Sequence, residues 1–215
     1  MDFGLIVAEV SYAKILVTGG GAIGYLLWAI SIAMLALVIH FFITIRRTNI
    51  LPEVLREEVG GLFEGKQYRQ AIDLTAEQGD FLSYMIHSSL TEAPHGYAAM
   101  ERSMEEAAEE RTTKMLRSIE WLNLIGNIGP MLGLLGTVWG MIGAFFTIVE
   151  SGSPEPAKLA GDIGVALVTT LLGLGVSIPA LAAYSILRNR IDAVTSEAVM
   201  VCQDLISTFR PAAKR

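Results

Sequence analysis

The sequence predicts an all-α integral membrane protein with three transmembrane helices and long helical extensions on the cytoplasmic side. Three observations carry that prediction. The first is composition: 52% of the 215 residues are hydrophobic and only 18% charged, with a mean hydropathy of +0.48. That is too apolar for an ordinary soluble domain. The second is a set of three runs that reach the roughly 20 mostly apolar residues a spanning helix needs, at 21–45, 121–149 and 163–187. None of the three apolar stretches holds Asp, Glu, Lys or Arg, and His40 is their only group titrating near neutrality. The third is the placement of basic residues. Of sixteen Lys and Arg, only Lys14 and Lys158 lie in the N-terminal segment or in the loop between the second and third runs. The positive-inside rule therefore puts the N-terminus outside and residues 46–120 and 188–215 in the cytoplasm, whatever the net charge of −6.

Each segment has its own reason. Residues 1–20, "MDFGLIVAEVSYAKILVTGG", mix apolar residues with Asp2, Glu9 and Lys14, as a helix lying on the outer membrane surface would. Gly19 to Gly21 then form a corner into the first span. That span is longer than a signal-peptide core and is followed, not preceded, by Arg46 and Arg47, so it reads as an uncleaved anchor. Residues 46–120 form a helical domain. Its first part has helical spacing broken at Gly60-Gly61 and at Gly79, giving two or three short helices. From Pro94 strong helix formers run on without a breaker to Gly126, so a long helix continues into the second span. Residues 150–162 are a turn-rich outer loop, and 188–215 a helical tail ending in a disordered "RPAAKR".

The second span carries Gly126, Gly129, Gly133, Gly136, Gly140 and Gly143, at steps of three and four. Glycine disfavours a helix by about 1 kcal/mol relative to alanine, so six in a stripe need a reason. Steps averaging 3.5 residues put all six along one side, a seam about 25 Å long. In lipid, small residues promote association by letting backbones approach closely. The second span is therefore expected to be clasped by another helix along its whole length.

Polar positions form a second pattern. At about 100° per residue, Thr137 falls near Pro130, Gly133, Gly140 and Ala144, with Asn123 further toward the cytoplasm. In the third span Thr170 and Ser177 are seven apart and nearly superposed, beside Ala166 and Gly173. Two readings stay open: each threonine bonds back to its own helix, or the two faces make a polar pathway. Pro179 removes a backbone bond to Gly175 and either bends the third span or makes it a hinge.

Other features exclude function classes. Glu101, Glu105, Glu106, Glu109 and Glu110 read as a solvated helix face, and His87 and His95 lack partners at metal spacing. Cys202, the one cysteine, reads as an inert thiol. With no phosphate loop, dinucleotide fingerprint or nucleophile triad, no cofactor, metal, nucleic-acid partner or enzymatic centre is expected. Spans two and three also lack the intramembrane carboxylate that ion carriers use.

The stretches "WLNLIGNIGPMLGLLGTVWGMIGAF" (121–145) and "GDIGVALVTTLLGLGVSIPALAAY" (161–184) resemble the second and third spans of the ExbB/TolQ/MotA family of proton-channel subunits. The resemblance implies an inner-membrane ring, pentameric in copy number, around an ExbD/TolR-like partner whose single span supplies an aspartate. Proton-motive force would become mechanical work delivered through a TonB- or TolA-like protein. It implies that Thr137 and Thr170, rather than Thr169, line the proton path. Where many family chains carry a glutamate five residues before the span-three threonine, this one has Val165; Asp162 lies one turn earlier and can cap the helix. ExbB-like service to nutrient uptake and TolQ-like service to envelope integrity both fit, whereas flagellar stator subunits have four spans. A scaffold or solute transporter acting without a partner is the reading from a different class, although a transporter is expected to show internal symmetry that this chain lacks.

Overall fold

The structure is a computed structural model, and it describes residues 20–151 and 156–210. Gly21, at φ 54°, opens the first helix in a conformation that favours glycine. The helices are α1 (Gly21–Thr44), α2 (Arg47–Ile50), α3 (Glu53–Glu64), α4 (Tyr68–Glu77), α5 (Phe81–Thr91), a 3-10 turn (Ala93–His95), α6 (Tyr97–Ser151) and α7 (Pro156–Ser207). The described residues contain no strand. α1, α6 and α7 are long and apolar enough to cross a membrane. The expected surface helix at 1–20 lies, apart from Gly20, outside the described residues, as do 211–215 of the tail.

The chain divides into two compact units. One takes Glu120–Tyr184 with the chain up to Ile39, and the other takes His40–Ile119 with the chain from Ser185 on. The first unit is made from parts of α1, α6 and α7. On α1, Gly24, Leu27 and Met34 are buried, a stripe repeating at three and seven residues as a helix-packing face requires. Its other faces expose Ile32, Leu35 and Ile39, each more than half accessible. In water that would be costly; against lipid tails it is not. Gly20 and Gly24 bring the start of α1 onto α7, where a Cβ would meet Thr169 Cγ2 at 3.5 Å and Leu172 Cδ1 at 3.9 Å respectively.

The second unit has a water-type core. Leu55, Val59 and Phe63 of α3 recur at i, i+4, i+8, and all three are buried with Ala71 of α4 and with Phe81, Met85 and Ile86 of α5. α7 adds Ile191, Ala198, Cys202 and Ile206. This core explains a departure from the sequence expectation. Gly60-Gly61 does not break α3, which runs on to Glu64. Two glycines cost about 2 kcal/mol together, whereas burying Leu55, Val59 and Phe63 stabilises by about 1.5–3 kcal/mol each. The break falls after Gly65, where Lys66 takes a left-handed φ of 55°. The expected break at Gly79 is present, and Asp80 caps α5 by accepting from Ser83 N at 2.9 Å and from Ser83 Oγ at 2.7 Å. Three helices, α3 to α5, thus fill residues 51–91, within the two or three expected there, and α2 precedes them.

The long helices also overrun expectation. α7 begins at Pro156, with proline at the first helical position, where its missing N–H costs nothing. Residues 156–162, expected in the loop, are therefore helical. α6 passes through Pro130 and α7 through Pro179 without interruption.

Candidate functional site

The site begins with the glycines of α6. Inside the first unit they meet α7 in antiparallel register, and the approach is backbone to backbone. A Cβ on Gly129 would lie 3.0 Å from the carbonyl of Gly173, and one on Gly133 would lie 3.1 Å from Thr170 Cα. A Cβ on Gly173 would lie 2.6 Å from the carbonyl of Gly129. Gly126 sits against the Leu181 side chain, Gly136 against Thr169, and Gly140 against Ala166. The seam ends there. Among the described residues nothing comes within 4 Å of a Cβ on Gly143, so the clasp runs along five of the six glycines and not the whole length expected. From Leu135 to Gly143 the helices also border a groove of about 630 Å³, lined by Gly20, Ile23, Trp139, Gly143, Asp162 and Val165 among others.

Close approach brings the hydroxyls together. Thr137 Oγ1 and Thr170 Oγ1 stand 3.3 Å apart across the two helices, both half-buried. Thr137 also donates back to the carbonyl of Leu134 at 2.8 Å. For Thr137 the back-bond is the shorter contact, and the facing pair is present as well. The carbonyl of Gly133 is the focus of this level. Thr137, Thr169 and Thr170 all have hydroxyls within reach of it, at 3.2, 3.4 and 3.3 Å. Thr169 is buried and donates at 2.7 Å to Ala166 of its own helix, so Thr170 is the threonine that faces Thr137.

Ser177, expected beside Thr170 on the open face, is instead 3% exposed and donates its hydroxyl to the carbonyl of Gly126. Its place is in the seam, because α7 turns that residue toward the gap the glycines leave. Pro179 is exposed and lies within the unbroken α7.

Toward the start of the apolar part of α6, Asn123 is half-buried within a polar cluster that its own position only hints at. Its Nδ2 donates to Glu120 Oε1 at 2.7 Å, while Asn127 Nδ2 donates to Asn123 Oδ1 at 2.9 Å and Tyr184 Oη donates to Glu120 Oε2 at 3.2 Å. Sequence reading missed Glu120, Asn127 and Tyr184. The i, i+4 spacing of the two asparagines could have found one of them; Tyr184 comes from 64 residues away and had no local signal. Near the other end, Asp162 is not a cap, since α7 starts six residues earlier. Its carboxylate accepts from Thr147 Oγ1 at 3.5 Å and borders the groove. Polar groups thus mark three levels along the α6–α7 contact: a carboxylate with amides, a hydroxyl pair and a second carboxylate. Among the described residues no His, Cys, Asp and Glu side chains gather into a group that could hold a metal ion.

The sequence model of the MotA/TolQ/ExbB proton channel family matches residues 76–200, more than half of the chain. This chain belongs to that family. The MotA/TolQ/ExbB match takes in the glycine seam, both facing threonines and Asp162, and leaves out all of α1.

Relatives within the family are similar over different lengths. The chain is 34% identical over 180 residues to a biopolymer transport protein ExbB homologue of Methanothermobacter thermautotrophicus, covering 80% of this chain and 62% of that one. It is 38% identical over 86 residues to the biopolymer transport protein ExbB of Xanthomonas campestris pv. campestris, covering 40% of this chain and 34% of that one. The Tol-Pal system protein TolQ of Haemophilus influenzae is 27% identical over 177 residues, 74% of this chain and 78% of that one. The chain thus spans less than two thirds of the length of the two ExbB relatives. Val165 borders the groove, and Asp162 is the one carboxylate among the described residues that line it.

Proposed function

We propose that this chain is an inner-membrane proton-channel and motor subunit of the ExbB type. It assembles as a homo-oligomeric ring, pentameric in the family's pattern, around an ExbD/TolR-like partner whose single span supplies an aspartate. The N-terminus lies in the periplasm and the C-terminus in the cytoplasm. Work drawn from the proton-motive force passes to a TonB-like protein for transport across the outer membrane. No covalent reaction is catalysed.

The observation that carries the reading is the Thr137–Thr170 pair at 3.3 Å on facing helices. A hydroxyl both donates and accepts. Such a pair can hydrogen-bond a carboxylate in either protonation state, so a partner aspartate would keep a partner through its proton cycle. Spans two and three bring no carboxylate to that level themselves, and this supports a titrating group from another chain.

The test is the double substitution Thr137→Ala and Thr170→Ala. Proton-linked function should be lost while the complex keeps its mass, because alanine is a better helix former than threonine at both positions. Normal proton-linked function in the double variant would remove these residues from the path. A TolQ-like role in envelope integrity is the second reading. It is favoured by the TolQ relative's match over 78% of its own length, against 34% for the Xanthomonas ExbB. Which partner co-purifies, a TonB-like or a TolA-like protein, separates the two.

A further inference from the structure

The second unit contains a cavity of about 410 Å³ with two chemically distinct walls. One is apolar: Phe41 and Ile45 at the end of α1, Ile50 of α2, Phe81 of α5 and Met115 of α6. The other carries Arg111 and Lys114, one turn apart on α6. These cations lie about two and three turns ahead of the apolar run that begins at 121, and Phe41 and Ile45 close the apolar run that begins at 21. The cavity therefore belongs to the depth where a bilayer's hydrocarbon gives way to its head groups.

Three other polar groups on the wall are already engaged. Asp80 holds the α5 cap through both oxygens. Asn49 Nδ2 donates to the carbonyls of Ile43 and Thr44 at 3.2 Å each, closing the end of α1. Ser118 donates to the carbonyl of Met115 at 2.6 Å. Arg111 and Lys114 differ. Among the described residues neither is in an ion pair. The Arg111 guanidinium lies over the Tyr84 ring, its Cζ 4.1 Å from the centroid, and Glu110 beside it is turned to accept from the Tyr84 hydroxyl at 2.8 Å. A cation held against a ring face is attracted by the ring without using its N–H donors on a carboxylate, and those donors stay available to an oxyanion. A flexible lysine one turn nearer the bilayer adds a second charge from a long stem.

We infer that this cavity binds an anionic phospholipid, its phosphodiester between Arg111 and Lys114 and the upper part of an acyl chain against Phe41, Ile45 and Met115. Charge complementarity selects an anion, and the adjoining apolar wall selects one that carries a hydrocarbon chain. A basic pocket beside membrane helices is the setting in which lipid head groups are recognised.

The experiment uses the full chain, purified in mild detergent with whatever partners it retains. Dioleoyl phosphatidylglycerol or dioleoyl phosphatidylcholine is titrated in, and bound lipid is counted by native mass spectrometry. The wild type should retain phosphatidylglycerol at least about tenfold better than phosphatidylcholine. Arg111→Gln with Lys114→Gln should abolish that preference, and Arg117→Gln, which does not line the cavity, should keep it. Met115→Trp leaves both cations and fills the apolar side, so it should weaken both lipids; it and Lys114→Gln alone serve if the double variant does not fold. Inorganic phosphate in large molar excess should leave the lipid bound. Equal retention of the two lipids by the wild type, undiminished phosphatidylglycerol binding in the cation variants, or displacement by inorganic phosphate would each overturn the assignment.

Discussion

Single residues in the seam differ sharply in what they tolerate. A Cβ on Gly173 would be pressed to 2.6 Å from a backbone carbonyl, and neither helix can yield there without opening the seam. Gly173→Ala should therefore destabilise the chain by about 1–3 kcal/mol despite alanine's better helix propensity. Gly143→Ala meets nothing within 4 Å and should be neutral or slightly stabilising. Thermal unfolding of the two variants in the same detergent checks the pair, and equal shifts would contradict the register described. Cys202 makes a different prediction. Burial pushes its thiol from 9.0 up to about 12, and the thiolate is the reactive form. The native protein should resist alkylation at pH 8 and react rapidly once unfolded. Because the folded pKa is the higher one, the fold is favoured below the unfolded value and loses that advantage as pH climbs from about 9 toward 12.

At the scale of elements, α2 is only four residues long and is held by charge at its first residue. Arg47 donates to Glu197 of α7 at 2.7 Å and to Glu53 of α3 at 2.8 Å. The hydrogen bond from Arg47 holds the Glu197 carboxyl below its ordinary 4.5. For a carboxyl depressed in the folded state, the contribution is present above the unfolded value and disappears as pH falls through the folded one. Glu197→Gln should thus lower stability modestly at pH 7 and match the wild type once the pH is well below 4.5. The pair is exposed, so raising the salt should narrow the difference at pH 7. Thermal melts across pH and salt read this directly. None of it was legible in the sequence, because Arg47 and Glu197 are 150 residues apart. The same limit hid the continuity of α3 through Gly60-Gly61, which depends on a core that only the folded chain assembles. What could be read were the patterns that local physics imposes. The seam of α6 follows from steps of three and four, and the Asp80 cap sits where Gly79 signals a break. That Ser177 is buried within the seam while Thr170 stays half-buried facing Thr137 depends on where α7 docks, which spacing along one helix does not contain.

For the whole molecule, the first unit leaves much apolar surface outside its own packing. Trp139 is 71% exposed, Met131 67% and Leu134 64%, all on α6 beside the seam that α7 covers. Lipid alone would accept such a surface, and so would neighbouring copies. If the ring proposed above forms, native mass spectrometry of the complex from native membranes should give five copies of this chain with two of a small single-span protein. A mass corresponding to this chain alone would leave the hydroxyl pair without a titrating partner and favour the scaffold reading.

The oxygen of Gly133 has two lone pairs and three threonine hydroxyls in attendance. Two of those attendants have somewhere better to go: Thr137 to Leu134 at 2.8 Å and Thr169 to Ala166 at 2.7 Å. Thr170 has only the crowded carbonyl and Thr137 itself, each at 3.3 Å. It is the rotor with the least to forfeit by swinging away. A visiting oxygen at this level would therefore recruit Thr170 first, at almost no expense to the helices that present it.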